Sequence, residues 1–184
     1  MDDPANKASL PPAIAVWSLA LLGSAGGMLA ACAESFAFAV RSPSGVLLLV
    51  AVAPAIEEIC KLLGLVFLLE KRPRWLRGPT EIVVLAAASA AVFATIENLL
   101  YFFVYHRAAG AGFVIYRLTV CTGMHMTASA VFGLGLVKMW RHILDRGGHF
   151  DIDVCFRYYV AAVVIHGWYN GFVFLLEYLG ILRF

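Results

Sequence analysis

Charge is scarce in this chain and is never gathered into a run. Lys and Arg number 14 and Asp and Glu 12 among 184 residues, for a net charge of +2. Without a dense basic stretch there is no electrostatic footprint for nucleic acid, so no nucleic-acid partner is expected. The four cysteines, Cys32, Cys60, Cys121 and Cys155, have no CxxC spacing, which argues against a disulfide framework or a zinc knuckle. HExxH is missing, so no local motif demands zinc. There is no internal repeat, and the polar linkers are too short to separate domains. Residues 1–184 read as one integral-membrane domain.

What the chain has instead is apolar surface. It is 62% hydrophobic with a mean hydropathy of +0.84, more than a soluble domain of this length can hide. A spanning helix needs about 20 apolar residues, and five segments qualify: 13–38, 46–69, 82–104, 112–138 and 156–180. The runs are continuous rather than alternating, which selects helices over a barrel. The expected fold is all-α, a polytopic membrane bundle of five transmembrane helices. Leu29-Ala30-Ala31-Cys32 resembles a lipoprotein cleavage site, but Asp2 and Asp3 outweigh Lys7 in the N-terminal region, so the first segment reads as a retained helix. Gly23 and Gly27 suit close helix packing.

Loop charges set the orientation. Lys71, Arg72, Arg74 and Arg77 occupy the second connection. Lys138, Arg141, Arg146 and Arg157 surround the fourth. The first and third hold mainly Arg41, Arg107 and Arg117. The positive-inside rule places connections two and four in the cytoplasm and the N-terminus inside.

The polar residues that remain lie where lipid should be. An ionisable group at bilayer depth costs on the order of 2.5–3.5 kcal/mol, yet Glu57 and Glu58 sit side by side in the second segment with Lys61 four residues after the first. Glu97 and Asn98 lie in the third, His125 in the fourth, His166 and Asn170 in the fifth. At about 1.5 Å per helical residue, Glu57 is roughly 16–18 Å from the outer end, His125 about 20 Å, His166 about 21 Å and Glu97 roughly 11 Å. Four helices bring ionisable groups to one band, as a shared buried site requires. Pro54 cannot donate to Val50, which predicts a kink just before the carboxylates. His166 and Asn170 project together, one turn apart, and Ser129 shares a stripe with His125. The plainer readings are that Lys61 is a counter-ion and Asn98 interhelical glue. On the same footing Tyr101, Trp168 and Tyr169 are packing or interfacial aromatics. His106, His142, His149, Glu34, Glu70 and Glu177 read as solvated.

In order along the chain, the motifs are EExxK from Glu57 to Lys61, FxxxEN from Phe93 to Asn98, His125 within Met-His-Met-Thr, and HxxxN from His166 to Asn170. This series resembles the PrsW family of intramembrane proteases, within the larger group of CAAX prenyl endopeptidases and bacteriocin-processing enzymes. The resemblance covers residues 46 to 175. It implies hydrolysis of a peptide bond in a membrane-anchored protein substrate, of which an anti-sigma factor is the best-known example.

Carboxyl groups held out of water can be tuned as proton carriers, and Glu57 reads as the general base, with Glu58 second. Asn170 reads as the oxyanion donor. In the related prenyl endopeptidases an FxxxH histidine helps with the water; here that position is Glu97. Glu97, His125 and His166 then form a three-ligand set for zinc or another divalent metal. Metal-assisted and glutamate-only hydrolysis both stay open. The rival function is a proton- or cation-coupled transporter with a midplane Glu/His site, against which stands the lack of an inverted repeat. The topology is tested by cysteine labelling: a probe at position 75 is expected to be unreachable from outside intact cells, and labelling there would overturn the assigned orientation.

Overall fold

The computed structural model describes residues 11–35, 43–107, 110–146 and 150–182. Arg41 and His149 fall outside the described residues, as do the side chains of Gly27, Cys32 and Glu34. All five apolar segments are helical over what is described, and no strand occurs among the described residues. The first is α1, Ala13–Ser35. The second is broken into α2 (Pro43–Leu47), a π-helical turn (Leu48–Val52), α3 (Ala53–Lys61) and α4 (Leu63–Lys71). The third is α5 (Pro79–Leu100), prolonged by a π turn, Tyr101–Tyr105. The fourth joins α6 (Ala111–Tyr116), a π turn (Arg117–Cys121) and α7 (Thr122–Arg146). The fifth is α8, Ile152–Tyr178. By length and composition three of these rods can cross a membrane: Pro79–Tyr105, Ala111–Arg146 and Ile152–Tyr178.

The polarity of the bundle is inverted relative to a soluble protein. Phe67, Val164 and Trp168 are exposed, whereas Glu58 and Lys61 are 0% exposed, His166 2% and His125 3%. An apolar exterior around a polar interior is what a bilayer imposes, because lipid solvates the first and not the second. α7 packs between α5 and α8, and α1 lies across α3, α4 and α5. Small residues set the approach distances. A methyl at Gly64 would strike the backbone carbonyls of Leu19 and Ala20, and one at Gly133 would come within 2.9 Å of the Ala86 side chain. Gly23 lies against the Gly64 backbone, as its expected packing role requires.

The break before α3 has a definite cause and consequence. In the π turn each N–H reaches back five residues, as Ala53 N does to the Leu48 carbonyl. The next donor in that register would be Pro54, which has no N–H. The Leu49 carbonyl is thereby left open, and Asn170 Nδ2 donates to it at 3.1 Å. One turn earlier on α8, Gly167 lies so close to the Val50 carbonyl that a Cβ there would collide with it. Tyr159 donates to the Ala55 carbonyl at 2.9 Å. The irregular turn is therefore the dock that fixes the register of α8, and with it the position of His166. Gly167→Ala is expected to cost about 1–3 kcal/mol through overpacking, and to lower activity by displacing His166. An unchanged thermal melt in detergent would contradict this docking.

Candidate active site

The core of the site grows from one turn of α3. Glu58 points inward and is completely buried. Its Oε1 accepts from Lys61 Nζ at 2.6 Å and lies 2.9 Å from His166 Nδ1, while Oε2 accepts from Ser129 Oγ at 2.8 Å. This carboxylate ties together α3, α7 and α8. Its neighbour Glu57 faces the other way around the cluster: Oε2 stands 3.7 Å from both Lys61 Nζ and His166 Nε2, and it is buried without a hydrogen-bond partner. The four-residue spacing pairs Lys61 with Glu57, and the structure keeps that pair at 3.7 Å while bringing Lys61 closer, 2.6 Å, to Glu58, the i,i+3 neighbour turned into the bundle.

On the facing side, Glu97 Oε2 lies 3.0 Å from His125 Nε2 and 3.3 Å from Arg117 Nη2. The His125 and His166 rings meet edge to face, centroids 4.8 Å apart. Each histidine thus has a carboxylate against one nitrogen, Glu58 for His166 and Glu97 for His125. Such a partner fixes tautomer and ring orientation in a histidine that serves as a metal ligand.

Glu57, His125 and His166 bring one potential ligand atom each to within 4.8 Å of one another. Glu57 Oε2, Glu97 Oε2 and His125 Nδ1 are all buried without a hydrogen-bond partner. Orphaned polar atoms are rare in a well-packed interior. Two imidazoles and a carboxylate are also the donor chemistry of a divalent transition metal such as zinc, so the residues present fit a metal. A family model described as PrsW family intramembrane metalloprotease matches residues 11–183. The chain belongs to this family. Comparison with curated proteins and with solved structures gives no match.

Glu57, Glu58, Lys61, Glu97, Asn98, His125, His166 and Asn170 lie in or beside this PrsW-family site. Asn98 joins helices as expected: its Nδ2 donates to the Arg117 carbonyl at 3.3 Å and to Thr122 Oγ1 at 3.1 Å, and its Oδ1 accepts from Arg117 Nε at 2.8 Å. Asn170, expected to face an oxyanion, has one N–H on Leu49. Two residues of the site escape sequence reasoning. Ser129 carries no role by its spacing from His125, yet it anchors Glu58. Arg117 counts among the loop charges by position, but it is 8% exposed. The π turn that starts there rolls it inward, between Asn98 and the face of Tyr101, 3.7 Å away. A signal for it exists, since Arg117 falls inside the 112–138 segment. Glu70, expected to be solvated, accepts from Phe150 N at 3.1 Å.

The two adjacent glutamates are expected to fail differently. Removing one partner of a buried ion pair costs about 3–5 kcal/mol, so Glu58→Gln should reduce the stability of the bundle sharply. Glu57→Gln leaves the Glu58–Lys61–His166 contacts intact and should melt near the wild-type temperature. Equal melting of both variants with the wild type would remove Glu58 from its anchoring role.

Proposed function

We propose that this member of the PrsW family hydrolyses a peptide bond in a membrane-anchored protein substrate, with a divalent metal held by Glu57, His125 and His166. The observation that carries the reading is the convergence of those three ligand atoms within 4.8 Å, in a site whose histidines are each backed by a carboxylate. The metal would supply Lewis-acid polarisation of the scissile carbonyl and of a water molecule. The two carboxylates exchange the roles that the sequence suggests: Glu57 becomes a ligand and Glu97 the proton carrier. Glu97 is 18% exposed at its side chain, so water reaches it. It takes the proton of the attacking water and returns it to the leaving amine. Glu58 and Lys61 hold His166 in place and touch no reacting atom.

At the depths of Glu57, His125 and His166 the site lies near the middle of the bilayer, whose hydrocarbon core is about 30 Å thick. The substrate is then cut within its own span. A single-span anti-sigma factor in a bacterial cytoplasmic membrane is a substrate of this kind.

The exchange of roles is tested by two variants of the full chain, read for bound metal and for cleavage of a single-span substrate. Glu57→Gln is expected to lose metal and activity together. Glu97→Gln should keep its metal and lose about 10²–10⁴-fold in turnover, the usual contribution of a general acid–base group. The reverse pattern would return Glu57 to the role of base, and near-normal cleavage by both would remove the carboxylates from the chemistry.

A further inference from the structure

A cleft opens at the end of the bundle opposite Lys71–Arg77. Leu49, Tyr101, Arg117, Tyr169, Asn170 and Glu177 are among the residues that line it. Its lining comes from the three π turns, from α6 and from the α8 face that docks on the first turn, so irregular backbone contributes at three places around it. Arg117 connects it to the metal-ligand group: it lines the cleft, and its Nη2 is 3.3 Å from Glu97, which touches His125.

The guanidinium is held as a positioned donor rather than as a plain counter-ion. Its Nε is committed to Asn98 and its face to Tyr101. An arginine placed to neutralise a carboxylate forms a parallel, two-bond fork. Here Nη2 is buried with no hydrogen-bond partner, and so is the Glu97 oxygen beside it. The two atoms stand 3.3 Å apart as an ion pair, but a buried N–H left without a hydrogen bond is still costly to maintain. Hydrolysis supplies the group that would use it. As water adds to the carbonyl carbon, its proton passes to Glu97 and the carbonyl π pair moves onto oxygen. That charge is lost when the C–N bond breaks and the amine takes the proton back. Donors fixed in advance near such an oxygen are often the largest single contribution to catalysis. Asn170, the donor suggested by sequence, already has one N–H on Leu49.

We propose that an extended stretch of substrate backbone enters this cleft, and that Arg117 Nη2 receives the scissile carbonyl oxygen and stabilises its negative charge. The assignment rests on the proteolytic reading above.

The test uses the full chain, a single-span substrate that the wild type cleaves, and three readouts: kcat, KM and bound metal. Arg117→Gln is expected to lose about 10²–10³-fold in kcat, the usual effect of removing one oxyanion donor, with KM and metal content unchanged. Added guanidinium at low concentration should restore part of the loss through the open cleft. Arg117→Lys keeps the charge but not the Asn98 anchor, and should also fall in kcat at full metal loading. If Arg117→Gln does not fold, Arg117→Lys carries the test by itself. Wild-type kcat in whichever variant folds, or a loss matched by a fall in bound metal, would overturn the assignment and leave the proteolytic reading standing. If the wild type cleaves no single-span substrate, that reading falls and this one with it.

Discussion

The contact among Glu58, Lys61 and His166 is what the rest of the bundle is arranged around. A lysine ammonium and an imidazole stand 2.6 and 2.9 Å from one oxygen of a carboxylate, and all three groups are buried. In a bilayer, none of the three has an acceptable alternative partner. That constraint draws α8 against α3, and Ser129 brings in α7 on the second oxygen. Breaking such a pair is far more damaging than its net contribution to stability suggests, because it strands a buried charge. The pair therefore specifies which helices meet, and at which register, more than it adds to their affinity.

Irregular backbone does the fine positioning. π-helical turns are often found at functional sites, and here three of them, 48–52, 101–105 and 117–121, surround one region. The first offers a carbonyl that Pro54 leaves free, and Asn170 takes it. The third turns Arg117 inward. A regular helix would send that guanidinium elsewhere on its circumference and would close the carbonyl that anchors α8. The site thus depends on departures from ideal geometry that ordinary helix propensity would remove, which is tolerated in a membrane only where protein covers the freed groups.

Much of this is legible in the sequence, for a physical reason. Ionisable residues are so costly in lipid that their mere presence in Gly45–Glu70, and again at Glu97, His125 and His166, marks an interior site. Hydropathy alone gives the helical segments. What the sequence does not disclose is direction around each helix. Spacing places both Glu57 and Glu58 within reach of Lys61, and only the packed bundle distinguishes the inward-facing anchor from the carboxylate left open. Arg117 is hidden for the same reason: an inserted residue in a π turn rotates everything before it, and no periodicity argument registers that. Pro54 and Asn170 each stand out along the chain, but the bond that links their roles joins Asn170 to Leu49, 121 positions away, beyond the reach of any local pattern.

The central claim is that two histidines and a carboxylate from three different helices form one metal centre inside the membrane. X-ray absorption at the metal edge, on purified chain in detergent, tests it without reference to any substrate. The account predicts one divalent metal per chain, with two imidazoles and oxygen in its coordination shell and no sulfur. Chain lacking stoichiometric metal after metal-replete purification, or a shell containing thiolate from Cys60 or Cys121, would contradict it.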